Sequence, residues 1–86
     1  MYRVVLSGHA RKALRKLERS VQERVVVALE LLEVDPRPPK AVKLKGEDNV
    51  WRIRVGDYRI VYEVTDTELL VWVIRIADRK DVYRKR

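Results

Sequence analysis

Three arginines in the segment VWRIRVGDYRIVY, residues 50–62, form the pattern in this chain that is best suited to chemistry. The Gly-Asp pair at 56–57 lies between two runs of alternating apolar residues, which predicts a two-residue β-hairpin. In that register Arg54 lies opposite Arg59, Arg52 lies one row further along, and all three share one face. Like charges directly opposite one another destabilise a sheet. Planar guanidiniums bind phosphates through paired hydrogen bonds, so the pattern predicts a phosphate-binding face. The alternative is a solvent-exposed face on which charge deters aggregation.

The other face of this hairpin predicts a hydrophobic core. Trp51, Ile53, Val55, Tyr58, Ile60 and Tyr62 alternate with the arginines and therefore share one side of the sheet. Aromatic rings can also stack on bases, but the alternation of Trp51, Tyr58, Tyr62 and Trp72 with apolar residues favours the core.

Further basic residues lie on the first predicted helix and at the end of the chain. Arg11 and Arg15 are four residues apart and share a helix face, which is either a solvated face or a contact with an RNA backbone. The final segment DRKDVYRKR directly follows an apolar strand, which predicts that Arg79 and Tyr83 emerge at one end of the sheet. We expect Lys45 and Lys80 to add to the RNA-binding charge.

Composition excludes several classes of site. The chain has no cysteine and one histidine, His9, so thiolate chemistry and an ordinary zinc site are excluded, and we expect no metal and no cofactor. His9 is interpreted as a capping or surface residue. The net charge of +7 and a pI near 10.1 indicate a polyanionic partner, either nucleic acid or an acidic protein. The apolar runs are too short for a membrane span, so we expect no membrane partner, and the absence of cysteine favours a reducing, cytoplasmic setting.

The chain predicts a single α+β domain over residues 1–86. Residues 2–6 predict a strand, and Ser7 predicts the N-cap of a helix from Gly8 to about Glu18. Ser20 and Glu23 have the spacing of a capping box for a second helix that ends near Val34. From residue 41 onward apolar residues recur with a period of two, which predicts four more strands, the first over residues 41–45. The expected architecture is an N-terminal strand, a two-helix hairpin and four strands in a mostly antiparallel sheet.

The segments VWRIRVGDYRIVYEV and VWVIRIADRKDVYRK resemble the RelE/ParE superfamily of toxins, and the resemblance covers essentially the whole chain. It implies the RelE-like toxin fold and a toxin of a type II toxin-antitoxin pair. In the RelE-like branch this is a ribosome-dependent endoribonuclease that cuts mRNA and blocks translation. The implied partners are a cognate acidic antitoxin, the ribosome and mRNA. ParE-like members share the scaffold but poison DNA gyrase, and a catalytically degenerate binding protein is a further alternative.

The resemblance also implies roles for individual residues. It places Arg52 and Arg54 on the basic strand, Arg59 on the following strand, and Arg79 and Tyr83 after the last strand. A metal-independent mechanism needs charge stabilisation and proton transfer while the 2′-hydroxyl attacks the adjacent phosphate. Arg54, Arg59 and Arg79 are suited to the first task. Arginine is a poor base, which leaves Tyr83 as the preferred proton acceptor, with Asp78, Asp81 and His9 as alternatives.

Overall fold

The computed structural model describes residues 1–78, and their elements follow the predicted order. The helices are α1 (Gly8–Lys16) and α2 (Arg19–Val34). The strands are β1 (Arg3–Leu6), β2 (Val42–Lys43), β3 (Val50–Val55), β4 (Tyr58–Thr65) and β5 (Leu70–Asp78). A short 3-10 turn at Asp66–Glu68 joins β4 to β5.

These strands form one five-stranded sheet in the order β1-β5-β4-β3-β2. β1 is parallel to β5 and every other pair is antiparallel, which confirms the mostly antiparallel α+β architecture. β5 is paired on both edges and buried on one face, so its nearly continuous apolar sequence fits an interior position.

The predicted register of the β3–β4 hairpin is confirmed. Arg54 is opposite Arg59, Ile53 opposite Ile60 and Trp51 opposite Tyr62. Gly56 has a φ of +63°, a backbone conformation that glycine adopts at little cost and that a tight hairpin requires at its first loop position. The local turn chemistry therefore determines which side chains share each face.

Both helices pack on the face of the sheet that carries Ile53, Ile60 and Tyr62. The fully buried members of this core include Ala10 of α1 and Val25 of α2, while Leu29 and Leu32 are nearly so. The predicted apolar stripes of both helices thus face the sheet. Because the helices cover this face alone, the face that carries the arginines is left uncovered by them.

The structure corrects two predictions about helix ends. Leu17 is extended and Glu18 is also non-helical, so α1 ends at Lys16 rather than near Glu18, and α2 begins at Arg19. Ser20 then lies inside the first turn of α2, and Glu18 occupies the N-cap position without a side-chain hydrogen bond. The predicted capping box is therefore wrong, and Glu23 instead accepts a hydrogen bond from Arg19 at 3.4 Å.

Two predictions about strand residues are also corrected. The strand predicted at 41–45 is reduced to Val42–Lys43, because the Ala41 N–H donates to the Pro38 carbonyl in a turn (2.9 Å). Trp72 does not belong to the core: it is exposed and lies opposite Glu63 on the uncovered face. Trp51, Tyr58 and Tyr62 do pack with the core, as predicted.

Candidate nucleic-acid interface

The uncovered face of the sheet brings the three hairpin arginines together. Arg54 and Arg59 are directly opposite, and Arg52 is opposite Val61 in the next row of this face. Arg54 is exposed, while Arg52 and Arg59 are half-buried. The sheet thus presents a cluster of guanidiniums on a rigid backbone.

Within residues 1–78 no salt bridge joins an acidic side chain to this cluster, and the acidic residue on the same face, Glu63, lies in the next row. The two salt bridges in this part of the chain join Arg19 to Glu23 and Arg37 to Asp66, away from the cluster. Among residues 1–78 two buried side-chain nitrogens, Arg59 Nε and Trp51 Nε1, have no hydrogen-bond partner. A buried donor without a partner costs about 1 to 3 kcal/mol.

A fourth arginine, Arg75 of β5, belongs to the same face and was missed by the sequence analysis. Arg75 is opposite Val61, which is itself opposite Arg52, so these three residues form one row. A β-bulge produces this placement, because Val61 pairs with Arg75 and Tyr62 pairs with Val73, leaving Ile74 without a partner on β4. The signal in the sequence was a charged residue inside an otherwise apolar strand. Strict alternation from Val73 would have directed Arg75 into the core.

Ser7 holds the bulge in place. Its hydroxyl donates to the Ile74 carbonyl at 2.8 Å and its N–H donates to the Val73 carbonyl at 2.9 Å. The same hydroxyl oxygen accepts from the Ala10 N–H at 3.0 Å, which confirms Ser7 as the N-cap of α1. One serine therefore links the start of α1 to the strand segment that carries Arg75.

Hydrogen bonds among Arg37, Asp66 and Tyr2, which we call the clasp, join the segment between α2 and β2 to the turn between β4 and β5. Arg37 donates to both carboxylate oxygens of Asp66, at 3.1 and 2.8 Å, and the Tyr2 hydroxyl donates to Asp66 Oδ1 at 2.7 Å. These hydrogen bonds, that from Arg37 first, lower the pKa of Asp66, and the bond to Asp66 raises the pKa of Tyr2. The Arg37 guanidinium also lies 5.7 Å from the centroid of the Trp51 ring, a cation-π contact.

Tyr62 anchors the same segment from inside the core. Its hydroxyl donates to the Pro36 carbonyl at 2.7 Å, and its side chain is fully buried. Burial raises the pKa of Tyr62 to about 12. The phenol is therefore neutral at physiological pH and serves as a structural donor.

A cleft of about 540 Å³ lies between α2 and the β3 side of the sheet. Its walls include Val27 and Leu31 of α2, both exposed, and Ile53 of β3. Arg24 and Arg54 also line it, and a Cβ added at Gly56 would lie 3.5 Å from Arg24 Nη1. The cleft combines apolar walls with positive charge.

The remaining predicted site residues are not brought into this cluster. Arg11 and Arg15 are exposed on α1, in the helical layer on the opposite side of the sheet. Lys45 is exposed in the turn between β2 and β3. Arg79, Lys80 and Tyr83, with the alternative base Asp81, lie outside the described residues.

The two other alternative bases, His9 and Asp78, do not lie on the arginine face. His9 is exposed in the first turn of α1, and Asp78 is opposite Tyr58, in a core-facing row. Among residues 1–78 no three His, Cys, Asp or Glu side chains are grouped so that they could hold a metal ion. In the same part of the chain no helix is both long and apolar enough to cross a membrane.

Comparison with known proteins places this scaffold among toxins. A family model described as the ParE toxin of the type II toxin-antitoxin system parDE matches residues 4–83. A putative RelE-like toxin protein of Escherichia coli is 31% identical over 86 residues, covering 95% of this chain and 90% of the relative. The mRNA interferase toxin RelE of E. coli strain K12 is 38% identical over 79 residues, covering 86% of this chain and 81% of the relative.

Solved structures agree with this assignment. The archaeal RelE-RelB complex from Pyrococcus horikoshii contains a chain that superposes with a TM-score of 0.82 at 29% identity, covering 91% of this chain and 94% of the other. The isolated E. coli RelE toxin gives a TM-score of 0.81 at 28% identity, with 98% of each chain covered. The chain therefore belongs to the RelE/ParE toxin superfamily of type II toxin-antitoxin systems.

Proposed function

We propose that this protein is a RelE-like toxin that cleaves mRNA on the ribosome in the cytoplasm and thereby blocks translation. The observation that carries the proposal is the sheet face left uncovered by the helices, whose clustered guanidiniums make no salt bridge within residues 1–78. Phosphodiester RNA is a polyanion that such a face can orient without a metal ion. Relatives named mRNA interferases support the same activity.

The proposed chemistry uses the RNA's own 2′-hydroxyl. Its oxygen attacks the adjacent phosphorus, the bond to the 5′ oxygen breaks, and the products are a 2′,3′-cyclic phosphate and a 5′-hydroxyl end. Arg54, Arg59 and Arg79 stabilise the additional negative charge on the phosphate in the transition state. Tyr83 in its phenolate form accepts the proton of the 2′-hydroxyl, and a water molecule donates a proton to the leaving 5′ oxygen. Arg52, Lys80 and Lys45 hold the RNA backbone, with Arg11 and Arg15 as further contacts.

The proposed partner in the inactive state is a cognate acidic antitoxin, since related toxins have been solved in complexes with RelB. Two features of this chain fit such a partner: Val27, Leu31 and Val34 are exposed on α2, and the adjacent cleft carries Arg24 and Arg54. An acidic segment that folds on contact would cover apolar and basic surface together. Co-purification with the product of a small adjacent acidic gene tests this partner. A toxic phenotype that persists at full strength with that product co-expressed would contradict it.

A second candidate function is poisoning of DNA gyrase, because the matching family model is that of the ParE toxin. The experiment that separates the two is a primer-extension map of cellular transcripts after brief expression of the protein. Cuts within translated codons are expected for the nuclease. Intact messages accompanied by DNA breaks would overturn the nuclease and favour the gyrase poison.

A further inference from the structure

The bulge in β5 arranges the arginines of the uncovered face in two rows. The first row contains Arg54 and Arg59 on adjacent strands. The second row runs across three strands, with Arg52 and Arg75 on either side of Val61. The rows are two residues apart along β3, which is roughly 7 Å. This separation is comparable with the spacing of neighbouring phosphates along a nucleic-acid strand.

The second row has room for one anion between its two guanidiniums. β3 and β5 flank β4, so Arg52 and Arg75 start roughly 10 Å apart. Both side chains are long enough to converge above Val61, which is apolar and offers no competing hydrogen bond. Neither arginine has a salt-bridge partner among residues 1–78. Asp78, three residues after Arg75, lies opposite Tyr58 in a core-facing row and so belongs to the other side of the sheet.

A β-bulge places Arg75 on this face of the sheet. A bulge re-aims the residues that follow it, and here it allows Val73 and Ile76 to be buried while Arg75 between them is exposed. The Ile74 carbonyl, which β4 does not pair, accepts the hydroxyl proton of Ser7 at 2.8 Å. The N-cap residue of α1 is thus hydrogen-bonded to the bulge.

We infer that Arg52 and Arg75 bind one backbone phosphate of the RNA, while Arg54 and Arg59 bind the phosphate next to it. The inference rests on the proposed function and extends it by a second phosphate subsite with Arg75 as an RNA-binding residue. The two rows together set the line along which the strand lies, which a single phosphate contact cannot do.

The test measures binding of a short, uncleavable 2′-O-methyl RNA to the intact protein. Each phosphate of the RNA is replaced in turn by an uncharged methylphosphonate. For the wild type, neutralising either of two neighbouring phosphates is expected to weaken binding most. Arg75→Gln should weaken binding roughly tenfold and lower the slope of log K against log salt by about 0.7, the value for one lost phosphate contact on a single strand.

Arg75→Gln should also abolish the sensitivity to one of the two phosphates, while Arg59→Gln abolishes the sensitivity to the other. Arg3→Gln is the matched control, because Arg3 is an exposed arginine on the same sheet face, in the distant row with Leu70 and Thr65. Arg3→Gln should change neither the salt slope nor the phosphate pattern. Arg75→Lys keeps the charge without the planar guanidinium, so its RNA affinity should lie between that of Arg75→Gln and that of the wild type.

Three outcomes would overturn the inference. If Arg75→Gln and Arg3→Gln change the RNA affinity and the salt slope equally, Arg75 contributes only general surface charge. Loss of sensitivity at the same phosphate in Arg75→Gln and Arg59→Gln would reduce the face to one subsite. Either result leaves the proposed function standing if the transcript map shows codon-level cuts. A wild type that neither binds this RNA nor cuts transcripts overturns both the inference and the proposed function.

Discussion

Individual arginines of the uncovered face differ in how firmly the fold holds them. Arg59 is half-buried with its Nε enclosed and unpartnered, whereas Arg54 opposite it is exposed. The side chain of Arg59 therefore has fewer conformations to lose when an anion binds, and Arg54 can adjust to the ligand. The acid-base group of the proposed reaction lies elsewhere in the sequence, at Tyr83.

Tyr83→Phe is expected to separate chemistry from binding. The change removes one hydroxyl, so single-turnover cleavage on programmed ribosomes should fall by about 10² to 10⁴-fold, while affinity for the ribosome stays nearly constant. Arg15→Ala is the contrasting variant and should weaken binding and its salt dependence, with the rate of the bound complex preserved. A wild-type rate in Tyr83→Phe would transfer the base role to Asp78, Asp81 or His9.

The raised pKa of Tyr62 predicts that the folded protein loses stability at alkaline pH. Its pKa is raised from 10.0 to about 12 in the folded protein, so above pH 10 the unfolded chain loses the proton while the folded chain keeps it. Stability must therefore fall as pH rises through this window, by up to roughly 2 to 3 kcal/mol. Tyr62→Phe lacks this contribution, although losing the bond to Pro36 costs about 1 kcal/mol at neutral pH.

Urea unfolding of the wild type and Tyr62→Phe at a series of pH values up to about 11 checks the sign. The free energy of unfolding should decline more steeply in the wild type. Parallel curves for the two proteins would show that the hydroxyl of Tyr62 ionises as readily in the folded protein as in the unfolded chain.

Secondary-structure elements of this protein are coupled at two polar junctions, one beside the middle of β5 and one at the turn between β4 and β5. At the first, Ser7 joins α1 to the bulge of β5. At the second, Arg37, Asp66 and Tyr2 join the segment after α2, the β4–β5 turn and the start of β1. Each junction fixes the relative position of elements that are distant in sequence.

Ser7→Ala is expected to destabilise the protein by about 1 to 3 kcal/mol, because it removes a helix N-cap and leaves the Ile74 carbonyl without its partner. Ser7→Thr keeps the hydroxyl and should stay close to the wild type. Chemical unfolding measures the free energy of unfolding of the wild type, Ser7→Ala and Ser7→Thr. If alanine and threonine variants are equally stable, the hydroxyl does not hold the bulge.

Asp66→Asn tests the second junction through pH. The pKa of Asp66 is lowered from its ordinary value of 3.8 by the hydrogen bond from Arg37, so its ionised form stabilises the folded state. This stabilisation is fully present above the unfolded pKa and is lost as pH falls through the lower folded pKa. The melting temperature of the wild type should exceed that of Asp66→Asn at neutral pH, and the difference should vanish in acid. A difference that is independent of pH would contradict the charge-based account.

The whole molecule is divided by its sheet into a helical side and a basic side. The helices bury one face, so the arginine rows remain available to a large polyanion, and the net charge of +7 attracts it from a distance. Two rows of guanidiniums on one face of a sheet orient a strand only partly. The ribosome is expected to supply the remaining orientation of the message.

The isolated protein should therefore cut naked RNA poorly, and programmed ribosomes should raise the rate by orders of magnitude. Single-turnover cleavage of one message, free and ribosome-bound, at matched salt measures the difference. Equal rates in the two states would contradict the dependence on the ribosome.

The sequence alone determined what depends on neighbouring residues. The Gly56 turn and the alternation beside it determined the register of the hairpin and the common face of Arg52, Arg54 and Arg59, because side-chain direction in a paired strand follows from period two and loop length. The order of the elements and the apolar stripes of both helices followed from the same local periodicities.

Only the tertiary structure decided where those periodicities are interrupted. Arg75 joins the arginine face because a bulge in the pairing of β5 with β4 interrupts the alternation, and the carbonyl at that bulge accepts a hydrogen bond from Ser7, 67 residues away. The clasp of Arg37 with Asp66 likewise joins residues 29 apart. Such contacts depend on which unpaired backbone and charged groups meet after the sheet has formed, and no local pattern in the chain encodes that meeting.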